Sequence, residues 1–543
     1  MNKFLRLRLP FREDKLFGVV LLLILVVPWA FSIVNYEKFE TLKISLWLVL
    51  LVVALLVFLK HQTFKAYSYN PGFLTILAIF LLLNILSTVF SIDKASSIFD
   101  FNLRFTNSLM FYTVWVVTTC ILLGVLETKR LEFLLKFITW GAAVVALVGI
   151  LQSFGIAFYD GLYDQGLIRS PSLLGNPNFS VMYIVTILPI AVTCFVKSPK
   201  LWGRVAYGGV IFLMVFAIIT FSSRGGWLGW LFEFLVWTVL ILWFFRKNLL
   251  LWLTGVGVLL VSILLWWGFL SVTRPNVVES TVKLTETNVD LRFFVWDIAR
   301  SAIIQRPILG FGPGNFQTVF QKERGSNLAS DPGTFDDPHN LFLHIASTSG
   351  VPAVLSFLGL IGLAAWYGWK SLKKEKNLIT LGLLTGLAGW VVMACFNPVS
   401  TANFLLLAIL LAGLIMPYRT KIQALNFVGS KILFSVLAIV IILFGLDILV
   451  SDLIFFRGYQ AYFAHDYNSG LRLTKLAYSL NPTSQLYYTY YLGNQVLLGQ
   501  VSNHEEATQE IKKLVNFHPL RTNSYSSAAN LYYLLFLDRK SVV

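Results

Sequence analysis

Charge is scarce in this sequence. Asp, Glu, Lys and Arg make up only 13% of its 543 residues, against roughly 25% in soluble domains. That excludes an ordinary water-soluble enzyme. Cysteine is scarcer still: Cys120, Cys194 and Cys395 are the three present, each inside an apolar run. They supply neither a disulfide framework nor a familiar zinc spacing, and they read as packing residues. The run Leu16 to Val34 lacks the small-residue cleavage site of a secretion signal and is closely followed by another apolar run. It reads as a retained helix.

What the chain has instead is apolar length, with 57% of its residues hydrophobic. Runs of about 20 apolar residues cross a hydrocarbon layer of roughly 30 Å. Thirteen such runs fall at about 16–34, 42–60, 72–90, 108–126, 133–151, 178–196, 202–221, 226–245, 249–270, 350–369, 378–396, 402–418 and 432–451. The expected fold class is all-α, a polytopic membrane protein with about thirteen transmembrane helices.

A net charge of +16 would fit nucleic acid binding, but its placement argues for topology. Lys3, Arg6, Arg8, Arg12 and Lys15 precede the first run, and Lys60 and Lys65 follow the second. Further on lie Lys129 and Arg130, then Lys197, Lys200 and Arg204, then Arg246 and Lys247. Lys370, Lys373, Lys374 and Lys376 come next, then Arg419, Lys421 and Lys431. Every second connection is basic, which is the positive-inside pattern. The expectation is a cytoplasmic N-terminus, an external C-terminus and no nucleic acid partner.

Two external regions break the rhythm of short connections. The first is the loop 271–340, too long to be structureless without a function. Its stretch "NVDLRFFVWDIARSAIIQRP" carries Leu291, Val295, Ile298 and Ala302 at helical spacing and ends near Pro307. The reading is a helix lying along the outer membrane surface, followed by the turn cluster "GFGPGNF". The second region is the tail, 453–543, taken as an external domain after a membrane domain at 1–452. In it "GLRLTKLAYSLNP" and "EATQEIKKLVNFHP" resemble one another at an offset of 37 residues. Gly458, Gly470, Ala477 and Ala507 sit at small-residue positions, as in a divergent tetratricopeptide pair; a plain helical cap is the alternative.

Polar groups at the external ends of the runs need a partner or a task. In "FSSRGGWLG", Arg224 stands where positive-inside bias disfavours it, with Gly225 and Gly226 read as a tight reversal. As a mere anchor it would be a snorkelling residue. In "LRFFVWDIAR", Arg292 and Trp296 share one helix face. In "DDPHNLFLHIASTSG" the expected helix starts at Pro338, capped by Asp337, with His339 in its first turn and Asp336 adding charge. His344, five residues on, need not share the site, and a zinc site built from Asp336, His339 and His344 fits no common spacing. Asn176 and Asn178 in "LLGNPNFS" are ligand-binding candidates, or simply caps of a helix starting at Pro177. Arg104, in "FDFNLRFTNS", is either structural or substrate-binding. Arginines and a histidine converging on one face point to a phosphate or diphosphate at headgroup level. A lipid diphosphate sugar fits, with His339 as general base and arginines meeting the leaving group's charge.

These stretches resemble the O-antigen ligase and O-antigen polymerase superfamily. The family's late pattern is His, then Asn, Ser or Gln, then nine residues, Gly, two residues, and Gly, Thr or Tyr. Here it matches His339, Asn340 and Gly350, with Ala353 departing at the last position. Arg224 matches the family's mid-chain Arg, and Arg292 with Trp296 matches the Arg and Trp of its large loop. "LLGNPN" and "GFGPGNF" are similar to recurring stretches of the same proteins, and the likeness covers about 70–420.

The resemblance implies a bacterial inner-membrane enzyme transferring glycan from undecaprenyl diphosphate to an acceptor outside. The transfer would need neither metal nor other cofactor, and would invert the sugar. Arg224, Arg292 and His339 would be catalytic; Arg104, Asn176, Asn178, Trp296 and Asn340 would bind substrate. Acceptors implied are a lipid A core, a lipid-linked repeat unit or a protein hydroxyl. The tail would meet acceptor, glycan or an envelope protein. A transporter or flippase for an anionic lipid or solute is the alternative, and would call for charges through the spans and repeat symmetry.

Overall fold

The computed structural model describes residues 15–60, 68–99, 105–156, 170–270, 286–324, 335–421, 428–482, 484–500, 508–512 and 531. The chain folds as helices α1 (Lys15–Val26), α2 (Glu40–Lys60), α3 (Pro71–Val89), α4 (Lys94–Phe99), α5 (Leu109–Val125), α6 (Thr128–Ser153) and α7 (Pro177–Lys197). There follow α8 (Leu201–Thr220), α9 (Arg224–Phe244), α10 (Leu249–Leu265), α11 (Glu286–Gln305), α12 (Phe316–Glu323) and α13 (Leu341–Ser349). The last are α14 (Val351–Glu375), α15 (Leu378–Ala394), α16 (Thr401–Ile415), α17 (Val428–Phe463), α18 (Tyr467–Leu480) and α19 (Gln485–Leu497). The only strands among the described residues are Ser68–Tyr69 and Thr420–Lys421, paired antiparallel.

The protein is an all-α polytopic membrane protein. Among the described residues, nine helices are long and apolar enough to cross a membrane, and three shorter apolar helices accompany them. Each expected run coincides with a helix; the run at 432–451 lies inside α17. Helix starts are marked by residues whose side chains accept the otherwise unpaired first amides. Asn70 caps α3, Ser108 α5, Asn248 α10, Asn377 α15 and Ser400 α16.

The bundle core is rich in aromatic rings. Trp115 lies 5.7 Å from Phe357 and 6.1 Å from Phe404, ring centre to ring centre. Three buried indole N–H groups have acceptors, as burial in a medium without water requires. Trp115 donates to the Phe404 carbonyl at 3.0 Å, Trp390 to that of Asn403 at 3.0 Å, and Trp47 to Thr118 at 2.8 Å. Helices α7 and α15 approach closely: a Cβ at Gly386 would stand 2.4 Å from the Thr186 carbonyl oxygen. Small residues allow such contact, which apolar driving force alone does not supply in lipid.

Helix α11 departs from the reading of a membrane-surface helix. Its apolar face, Val295, Ile298 and Ala299, packs on Phe316 and Phe320, while Ala302 packs on Phe311 and Val319. The face is spent on a core within the loop. At the far end of the chain, α17 spans 36 residues, about 54 Å at 1.5 Å per residue and longer than a bilayer core. Its second half docks on the α1–α2 connection. Asn35 donates to the Leu449 carbonyl at 3.2 Å, and the Glu37 amide to Asp452 at 3.3 Å. In the tail Gly458 abuts Thr474, Gly470 abuts Asn494, and Ala477 is buried between Phe455 and Tyr487.

Candidate active site

Helix α9 begins at one end of the bundle. Ser222 takes a left-handed conformation, φ +53°, and turns the chain. Ser223 then accepts the Gly226 amide at 3.2 Å and donates its hydroxyl to Asn178 at 2.8 Å. Gly225 and Gly226 do not make the expected reversal; they lie in the first turn of α9. Their reason is close approach: a Cβ on Gly226 would sit 2.6 Å from Val181, and one on Gly225 3.1 Å from Asn397. Arg224 is the first helical residue and half-buried, beside amides that carry the positive end of the helix dipole.

Asn176 caps α7 by accepting the Asn178 amide at 2.8 Å, with Pro177 as its first residue. Asn178 then joins α7 to α9 through Ser223. Both asparagines therefore hold the helix start that presents Arg224.

Arg292 and Trp296 lie one turn apart on α11, both half-buried. The Arg292 pKa is lowered by burial and, secondarily, by the charge of Arg224. The two guanidinium groups, 68 positions apart by their numbers, are thus brought close enough to repel. Trp296 donates its indole N–H to the Pro338 carbonyl at 2.9 Å, and its ring lies 6.3 Å from that of Phe396. Phe396 and Asn397 in turn border Gly225. One tryptophan so connects the Arg224 turn with the peptide preceding His339.

The start of α13 corrects the sequence expectation. The cap is Asn340, whose side chain accepts the Phe342 amide at 3.0 Å and the Leu343 amide at 3.1 Å. Asp337 does not cap, Pro338 is not the first helical residue, and His339 precedes the helix with φ +56°. Asp337 instead accepts the His339 amide at 2.6 Å. Its Oδ1 lies 4.0 Å from His339 Nδ1, and its Oδ2 lies 3.2 Å from His344 Nδ1. His344, set aside in the sequence, is wholly buried in this cluster, whereas the His339 side chain is 31% exposed.

The end of α13 is closed by the glycine cluster. Phe311 and Gly312 amides donate to the Ser347 and Thr348 carbonyls at 3.2 and 2.7 Å, and the Val351 amide donates to the Pro307 carbonyl at 2.7 Å. Gly350, at φ +93°, is needed there: a Cβ would fall 2.1 Å from the Ile308 oxygen. Asn315 anchors the same cluster on Ser91 and Ser97, both at 2.8 Å.

Arg224, Arg292, Trp296, His339 and Asn340 are therefore on adjoining elements, with Asn176 and Asn178 behind Arg224. Arg104 lies outside the described residues. Sequence reasoning passed over Phe396 and Asn397; their one signal was a polar break, "FNPVS", between two apolar runs.

The family model described as O-antigen ligase matches residues 209–358. That interval runs from within α8 into α14 and contains Arg224, Arg292, Trp296, His339, Asn340 and Gly350. No curated protein matches the chain. Over these residues the chain is similar to the O-antigen ligase family.

Proposed function

We propose that this protein transfers a glycan from a polyprenyl diphosphate, of the undecaprenyl kind, to an acceptor hydroxyl on the outer face of the cytoplasmic membrane. The family match supports a glycosyltransferase-like enzyme handling lipid-linked glycan and an acceptor. The observation that carries the finer reading is the hydrogen bond from Trp296, one turn from Arg292, to the peptide before His339, with the charge of Arg224 lowering the Arg292 pKa. Two like charges held together are stabilised by an anion between them, and guanidinium groups suit a diphosphate.

In this reading the diphosphate lies against Arg224, Arg292 and the α9 N-terminus. The acceptor oxygen attacks the anomeric carbon from the side opposite the diphosphate, so the sugar inverts. His339 takes the hydroxyl proton. The carbon–oxygen bond to the diphosphate breaks, its electron pair passes to the leaving oxygen, and the arginines meet that charge. The proton on His339 then returns to water. No step calls for a metal or cofactor. Membrane lipid surrounds the spans and the donor's tail; the C-terminal domain meets the acceptor, the growing glycan or an envelope protein.

The test gives the purified full chain an undecaprenyl diphosphate glycan and three acceptors in turn: lipid A core, a second lipid-linked unit and a serine-bearing protein. Glycan covalently attached to one acceptor, with equimolar lipid diphosphate released, supports the reading. Donor moved between leaflets without bond cleavage contradicts it and favours a flippase.

A further inference from the structure

Asp337 has no capping task, since Asn340 supplies the cap, yet it is only 1% exposed. A carboxylate so far from water needs donors or positive charge around it. It has the His339 amide at 2.6 Å on Oδ1, and the Nδ1 of His344 stands 3.2 Å from Oδ2 without the alignment of a hydrogen bond. His344 is itself fully buried, its ring 5.9 Å from that of Phe316. An apolar side chain would fill that place on α13 without desolvating an imidazole. The His339 Nδ1 is also buried, although its side chain as a whole is 31% exposed.

We infer that Asp337 and His344 are a positioning pair that aims and polarises His339, an inference that rests on the transfer reaction above. Asp337 holds the His339 peptide in its left-handed conformation and keeps negative charge beside the Nδ1 edge. The Nε2 edge is thereby turned to the acceptor. As the acceptor proton moves to Nε2, the positive charge develops about 4 Å from the carboxylate. His344 occupies the other carboxylate oxygen and stops it rotating away. No proton passes to Asp337 or His344. The carboxylate orients the ring and stabilises its charged form, as an acid does behind a catalytic histidine. Trp296, bonded to the Pro338 carbonyl, fixes the opposite side of the same turn.

The experiment measures donor turnover by the full chain in detergent, with kcat, donor KM and a pH profile for each variant. Asp337→Asn keeps an acceptor for the His339 amide but loses the charge. It is expected to lower kcat about a hundredfold and to move the acid limb of kcat/KM to lower pH, because an imidazole without its carboxylate is less basic. His344→Phe is expected to lower kcat about tenfold with donor KM unchanged. His344→Asn, whose amide nitrogen overlays Nδ1, recovers most of that loss. An unmoved acid limb in Asp337→Asn, or equal rates for His344→Phe and His344→Asn, overturns the pair. The underlying reaction is judged separately by His339→Ala. If that variant turns over normally, the proposed function fails; if it is inactive while Asp337→Asn and His344→Phe are normal, only the pair fails.

Discussion

Replacing Gly350 by alanine tests whether the histidine turn depends on the far end of its short helix. Gly350 sits at φ +93°, and the added Cβ would meet the Ile308 oxygen at 2.1 Å. The left-handed conformation alone costs a non-glycine residue about 1–3 kcal/mol. The contact is with backbone, so relief means displacing the 307–312 strap and its three hydrogen bonds to 347–351, each worth about 0.5–1.5 kcal/mol net. The sum is roughly 2.5–7.5 kcal/mol, large for one substitution. It falls on the loop rather than on the bundle, so the opening is local. Hydrogen exchange by mass spectrometry should show peptides covering 306–320 and 335–350 losing protection while α7 and α15 keep theirs, and donor turnover should fall with them. Gly362→Ala is the control: nothing lies within 4 Å of its Cβ, and alanine suits a helix interior. Equal exchange and equal turnover in Gly350→Ala and Gly362→Ala would refute the reasoning.

Trp296→Phe keeps the ring against Phe396 but loses the bond to the Pro338 carbonyl; kcat should fall about tenfold with donor KM unchanged, seen in steady-state kinetics. Asn340→Ala removes the α13 cap and should cost about 1 kcal/mol, lowering the midpoint of thermal unfolding, whereas Asn340→Ser, also a good cap, should stay near wild type. Glu37 accepts the Phe39 and Thr41 amides at 3.1 and 2.6 Å, and burial pushes its pKa up to about 7. The folded chain then holds a proton that the unfolded chain has released, so this carboxyl's contribution to stability falls as pH rises from the ordinary carboxylate range toward 7. Glu37→Gln should flatten that part of a thermal-stability profile against pH.

The membrane helices were legible because length and hydropathy act locally: about 20 apolar residues become a helix whatever surrounds them. Arg224, Arg292 and His339 stood out as candidates for a related reason, since polar groups outside the spans contrast with an apolar ground. What stayed hidden depends on contacts between distant segments. The lipid-facing reading of α11 had the right period, but a helical stripe does not say whether lipid or Phe316 and Phe320 will cover it. Asp337 looked like a cap because it precedes a proline; it accepts the His339 amide, but the helix starts later and Asn340 takes its first amides. His344 was set aside because it lies five residues from His339, a spacing that fails as a guide when His339 itself is not helical. Gly225 and Gly226 looked like a turn, yet their use is to let Asn397 and Val181 come near.

The central claim is that His339 removes the acceptor proton while Arg224 and Arg292 hold the diphosphate. Its most direct measurement is a single-turnover assay with undecaprenyl diphosphate glycan and acceptor, following release of lipid diphosphate by wild type and by His339→Ala at equal donor occupancy. The account predicts that His339→Ala binds donor as wild type does and releases lipid diphosphate at least about a hundredfold more slowly. Release at the wild-type rate by His339→Ala would contradict it.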